Sequence, residues 1–226
     1  MIPVFLYIGP EFGLRNEAIE KHKLEAEKIA RDAVKDNIPV SVYRVGNLTC
    51  HSESGKFQQN MDNNAFYRMI KSMLCLGKTP EAKWYIDFTP INFASQALVA
   101  IARQPESNGH VFHLCNPKPL LYADFVGMLK DMGYELDVIK AESYENWLLS
   151  GEHSEEMQGF LSLAIAQLDG DGAGDTPFIF NSNKTQDFLK NTNVVCTEPN
   201  KAYIRAMVDS AIQVNYFPEP KLVAVS

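Results

Sequence analysis

The stretch Asn16–Val34, NEAIEKHKLEAEKIARDAV, holds the first residue whose type and place invite chemistry. Ile19, Ala26, Ile29, Ala30 and Ala33 recur at spacings of three and four, the period of a helix with one apolar face. Lys23 falls on that face, one turn after Ile19. Lysine is seldom buried, so two readings stand side by side. Either its methylenes cover apolar surface while the ammonium reaches water, or the ammonium serves a site.

Other reactive types are easier to place. In GHVFHLCNP, residues 109–117, His113 and Cys115 share one strand face, where an imidazole could act as base to a thiol nucleophile. No third group that would orient the imidazole is evident, and His113 reads as a packed strand residue. His110 falls on the opposite face, which disfavours a shared metal. DGDGAGD, Asp169–Asp175, looks like a calcium loop, but its twelfth position is Phe180 where a glutamate is needed, and its fifth is Ala173. It reads as a surface loop, and no metal site is expected. There is no Walker motif, no G-x-S-x-G, and no Gly-rich dinucleotide fingerprint after a first strand.

The elements that must position these residues follow from pattern. Residues 2–8 read as a strand, followed by the helix that carries Lys23. Asn37–Leu48, NIPVSVYRVGNL, is β-branched and ends in a turn signal, Gly46-Asn47. Strand, helix and strand in that order predict a parallel pair in an α/β sheet. Asp62 is placed to cap a helix through Leu76, with Phe66, Met69, Ile70 and Met73 on one face. A short strand spans Trp84–Phe88, and Pro90 suits the first turn of the helix after it. Residues 109–117 form a strand, residues 121–133 a helix ended by Gly133, and residues 134–140 another strand. After Lys140 the patterns are helical, apart from a short piece at PFIF, residues 177–180. The expected organisation is an α/β region over 1–140 and a mostly helical subdomain over 141–226.

Composition narrows the function classes. Of 226 residues, 46% are hydrophobic and 22% charged, the balance of a soluble globular chain. The net charge is −7 with no basic tract, so no nucleic-acid partner is expected. No apolar run approaches the roughly 18–20 residues of a membrane span. The four cysteines, Cys50, Cys75, Cys115 and Cys196, are scattered, which fits free thiols in the cytoplasm.

Three longer segments carry a resemblance. KLEAEKIARDAVKDNIPVSVYRVGNLTCHSESGKF, WYIDFTPINFASQALVAIARQPESNGHVFHLCNPKPLLYADFVGMLKDMGY and NKTQDFLKNTNVVCTEPNKAYIRAMVDSAIQVNYFP resemble, in order and spacing, the second half of the terminal thioester reductase domains of nonribosomal peptide synthetases. These are extended short-chain dehydrogenases related to the reductase domains of carboxylic acid reductases. The resemblance covers roughly residues 16–220. It implies an incomplete Rossmann-like α/β sheet with a helical C-terminal subdomain that binds substrate and carrier. It also implies NADPH as cofactor and a phosphopantetheinylated peptidyl or acyl carrier protein as partner. The thioester would be released as an aldehyde or alcohol.

In that family a Tyr-x-x-x-Lys pair supplies the proton and holds the nicotinamide ribose. By resemblance Lys23 is the family lysine, with catalytic and cofactor-binding roles, and Val45, Gly46 and Asn47 form the turn beside the nicotinamide. The tyrosine position is Ile19, which has no proton to give. The family's Gly-rich loop has no counterpart here. The resemblance therefore leaves three readings: a piece complemented by an N-terminal reductase half, a non-catalytic homologue that binds carrier protein or acyl chain, or a rearranged site in which Tyr7 or Tyr43 supplies the phenol.

Overall fold

The computed structural model describes residues 17–150, 155–168 and 179–220. The strand expected over 2–8, Tyr7 and the Asp169–Asp175 loop lie outside them. The backbone of the first helix, α1 (Glu17–Ala33), is described, but the side chains of Ile19 and Lys23 lie outside the described set.

After α1 the chain enters β1 (Val42–Val45) and β2 (Leu48–Thr49), separated only by Gly46-Asn47. Next come α2 (Ala65–Leu76), β3 (Lys78–Pro80), β4 (Tyr85–Ile86), β5 (Thr89–Pro90) and α3 (Ile91–Ala102). They are followed by β6 (Val111–Leu114), β7 (Leu120–Leu121), α4 (Tyr122–Asp131) and β8 (Asp137–Ile139). The order then continues in helices: α5 (Ala141–Leu149), α6 (Glu155–Leu168), α7 (Asn183–Leu189) and α8 (Lys201–Gln213). Among the described residues no strand follows Ile139, and Ile179 and Phe180 are not strand.

The strands pair two by two. β1 runs parallel to β6 with Val42 opposite Val111 and Val45 opposite Leu114. β2 is parallel to β5, β3 is parallel to β8, and β4 is antiparallel to β7. This is an α/β fold of the incomplete Rossmann-like kind, its parallel pairs joined through helices as parallel crossovers require.

Among the described residues three apolar clusters hold it, the smallest joining Leu76 to α5 and α6 through Tyr144, Leu148, Leu161 and Ala164. Tyr43 of β1 and Phe112 of β6 stack at 5.6 Å, and α3 covers them with Phe93, Ala97 and Ile101. Phe66, Tyr67 and Ile70 of α2 meet Phe125 and Leu129 of α4 and Ile204 and Met207 of α8 in the largest cluster. Each such side chain, fully buried, contributes about 1.5–3 kcal/mol of transfer free energy.

Local expectations shift in two places. The α2 helix starts at Ala65, and Asn64 caps it by accepting from the Tyr67 N–H at 3.0 Å. Asp62 belongs instead to a preceding 3-10 turn, Met61–Asn63. Two residues too early, Asp62 would leave the first N–H groups of α2 unmet. In α1 the inward arc is rotated: Ala30 is buried, but Ile29 is 73% exposed. The residue that takes its place inside is Glu27, drawn in by an arginine on β1.

Candidate functional site

In parallel α/β sheets ligands gather outside the carboxyl ends of the strands. Here the carboxyl ends of parallel β1 and β6 meet the chain that leaves antiparallel β4. β1 delivers Gly46 and Asn47, β6 delivers Cys115 and Asn116, and the link between β4 and β5 delivers Asp87 to Thr89. The last ladder bond of the β1–β6 pair runs from the Gly46 N–H to the Leu114 carbonyl at 2.9 Å.

Beyond that rung the Asp87 carboxylate takes over. Its Oδ2 accepts from the Asn47 N–H at 3.0 Å, and its Oδ1 accepts from the Asn116 N–H at 3.1 Å and the Thr89 hydroxyl at 2.8 Å. The Asn116 N–H also reaches Thr89 Oγ1 at 3.1 Å, and its side-chain amide donates to the carbonyls of Phe88 and Thr197. Burial pushes the Asp87 carboxyl up to about 6, while the Thr89, Asn116 and Asn47 donors pull it down. Gly46 makes the approach possible. A Cβ there would stand 1.8 Å from Asp87 Oδ2 and 2.7 Å from Thr89 Oγ1.

Asn47 is 6% exposed, and its side-chain nitrogen is buried with no hydrogen-bond partner among the described residues. A buried amide donor left unmet costs about 1–3 kcal/mol. At the carboxyl ends of parallel strands, such a donor fits the acceptor of a ligand, such as a carboxamide oxygen. Val45, by contrast, is buried at the end of β1 and packs in the core.

The following loop is anchored from two sides. The Ser52 N–H donates to Asn92 Oδ1 at 3.0 Å and the Asn92 side-chain amide donates to Ser52 Oγ at 3.1 Å, tying the loop to α3. Thr49 Oγ1 and the Tyr203 hydroxyl lie 2.6 Å apart, tying it to α8. Gly55, at φ +67°, sits where a Cβ would lie 1.8 Å from the Ala206 carbonyl oxygen.

A second polar group lies behind β1. Arg44 forms a two-pronged pair with buried Glu27 of α1, at 2.8 and 3.1 Å. The arginine's third arm meets His113 Nε2 at 3.3 Å. Arginine only donates, so Nε2 accepts, and the proton on Nδ1 donates to the Asn181 carbonyl at 3.1 Å. His113 is therefore a packed, tethered strand residue, as expected. Cys115 donates to the Phe180 carbonyl at 3.8 Å, and its thiol is pushed up to about 12 by burial and by the charge of Asp87. A thiol so raised is a poor nucleophile. Tyr43 packs in the core against Phe112, which removes it as a phenol donor at this edge.

Of the residues expected from sequence, Gly46 and Asn47 stand at the convergence and Val45 just below it. Lys23 lies in α1 one turn before Glu27, with its side chain outside the described set. Sequence reasoning gave no role to Asp87, Thr89, Asn116, Glu27 or Arg44. The only signal was that Asp87 and Thr89 fall in the DFTP segment, whose local pattern says nothing of what their side chains meet. Among the described residues, no group of three or more histidine, cysteine or acidic side chains could hold a metal.

A family model described as NAD_binding_4, male sterility protein, matches residues 13–98. A linear gramicidin synthase from Brevibacillus parabrevis is 26% identical over 188 residues, which is 83% of this chain. The terminal R domain from the myxalamid PKS-NRPS biosynthetic pathway superposes with a TM-score of 0.81 over 97% of the chain, at 24% identity. This chain is a homologue of nonribosomal peptide synthetase terminal reductase domains. A thiolation-reductase di-domain from an archaeal non-ribosomal peptide synthetase matches at a TM-score of 0.72 and 25% identity, over 87% of the chain. The reductase homologue spans 4% of the gramicidin synthase chain, 60% of the myxalamid R-domain chain and 40% of the archaeal di-domain. The four cysteines are free, and no described helix is long and apolar enough to cross a membrane.

Proposed function

We propose that the chain forms the nicotinamide-side portion of a cytoplasmic, NADPH-dependent thioester reductase. Its substrate is a peptidyl or acyl thioester on a carrier-protein phosphopantetheine arm, released as an aldehyde or alcohol. The observation that carries the reading is the unmet, buried amide of Asn47 at the meeting of the parallel strand ends, beside a glycine kept bare by Asp87.

In this reading the Asn47 side chain donates to the carboxamide of the nicotinamide, and the Gly46 backbone lets the ring lie close. Lys23 holds the ribose hydroxyls, and its charge favours the oxygen that becomes negative when the thioester carbonyl is reduced. NADPH, when bound, supplies the hydride. The proton donor and the pyrophosphate-binding glycine turn come from a complementing N-terminal reductase half, since Ile19 has no proton to give. The helices over 141–226 form the substrate- and carrier-binding subdomain.

The test is a fluorescence titration with NADPH of the chain mixed with the N-terminal half of a homologous reductase. A coupled assay on a carrier-loaded acyl thioester runs beside it. Asn47→Ala should weaken NADPH binding about tenfold, the worth of one hydrogen bond of about 1.4 kcal/mol. Lys23→Ala should abolish turnover. Unchanged NADPH affinity in Asn47→Ala would overturn the assignment, and carrier binding without turnover would leave a docking module.

A further inference from the structure

The β1–β6 ladder ends at Gly46, yet the two backbone N–H groups beyond it, on Asn47 and Asn116, remain ordered. Both point at one side chain from a third element, Asp87. Among the described residues no other acceptor serves the Asn47 N–H, and the only other one for the Asn116 N–H is Thr89 Oγ1, itself bonded to Asp87. The carboxylate thus occupies the place of the next rung, bridging the ends of β1 and β6 to the β4–β5 link, whose Thr89 N–H also donates to the Asn47 carbonyl at 3.0 Å where β5 pairs with β2.

We propose that Asp87 is the positioning residue of the Asn47 turn, holding it through charge-assisted bonds that weaken when the carboxylate takes up a proton. The inference deepens the reading of this edge as the ligand-bearing one.

The groups facing Asp87 make the direction definite. Asn47, Thr89 and Asn116 present neutral donors. Cys115 from the end of β6 and Cys196 from the segment before α8 present thiols, both raised by burial and by the Asp87 charge, so neither ionises near neutrality. The ion pair of Lys118 with Glu198 lies on the exposed rim beyond Asn116. Among the described residues no cation pairs with Asp87. Its ionised form therefore rests on three donors alone, against a desolvation that raises it to about 6.

The proton's place also follows. Backbone N–H groups can only donate, whereas a hydroxyl can turn and accept. Thr89 is the one partner able to accept from a carboxylic acid, so the proton goes to Oδ1. Asn116 then loses its charged acceptor at Oδ1, while Asn47 keeps a neutral carbonyl at Oδ2. Bonds to an ionised acceptor are roughly twice as strong as neutral ones, so both amides loosen, Asn116 more.

The experiment is a pH titration of the ligand-free chain by NMR, following the backbone amides and the Asp87 side-chain carboxyl carbon. Expected is one midpoint near 6 shared by the Asp87 carboxyl, the Asn47 amide and the Asn116 amide. Both amide protons should move upfield on acidification, Asn116 by more. In Asp87→Asn both transitions should vanish. Amides that do not titrate with the Asp87 carboxyl, or that still titrate in Asp87→Asn, would overturn the proposal. If Asp87→Asn does not fold, the wild-type titration decides alone, because the shared midpoint is present or it is not. No ligand enters this test, so a failure of NADPH to bind would count against the cofactor reading and not against this one.

Discussion

Replacing Gly46 by alanine tests the closeness of the turn most directly. The new methyl would stand 1.8 Å from Asp87 Oδ2 and 2.7 Å from Thr89 Oγ1. Ordinary contact at about 3.4 Å demands that Oδ2 retreat by about 1.6 Å, which breaks its 3.0 Å bond from the Asn47 N–H. A hydrogen bond to a charged group is worth about 1.5–3 kcal/mol, and overpacking costs about 1–3 kcal/mol more. The expected loss is about 2.5–6 kcal/mol, a large part of the roughly 5–15 kcal/mol that ordinarily holds a domain. Urea denaturation measures it. In an Asp87→Ala background the carboxylate collision is gone and only the Thr89 contact remains, so Gly46→Ala should there cost less than about 2 kcal/mol. A loss under about 1 kcal/mol in the wild-type background, or equal losses in both backgrounds, would refute the close approach.

Two further outcomes follow from the same contacts. Because the folded Asp87 carboxyl sits at about 6 against an ordinary 3.8, the native state holds its proton more tightly than the unfolded chain. Its contribution to stability is therefore greatest at low pH and falls as pH rises between about 4 and 6. Measured by denaturation, wild type relative to Asp87→Asn should lose about 1.4 kcal/mol between about pH 5 and 7.5; a gain over that range would reverse the assignment. Behind β1, Arg44→Met removes the two-pronged partner of buried Glu27 and leaves it only the exposed Arg31 at 3.8 Å, which should cost about 3 kcal/mol, the lower end for a broken buried pair. Glu27→Gln should cost less, because Arg44 keeps 40% of its side chain in water, and denaturation of the two variants side by side checks the order.

The helices were legible because their cause is local. Apolar residues at spacings of three and four in α2 and α4 bury Phe66, Ile70, Met73, Phe125 and Leu129 as the period requires. The strands ending at Val45 and Leu114 were legible from their β-branched and aromatic run and from the Gly46-Asn47 turn signal. Resemblance carried the family. What lay beyond reach was decided by partners distant in the chain. Ile29 faces outward because Glu27, two residues earlier, meets Arg44 seventeen residues on, and an ion pair there outweighs the apolar pattern of the helix. Asp87 is silent in its own segment and acquires its role only where Asn47, forty residues back, and Asn116, twenty-nine ahead, bring their N–H groups to it. Periodicity reports which side of an element is apolar. Which polar groups meet inside is set by how the elements cross, and only the tertiary structure decides that.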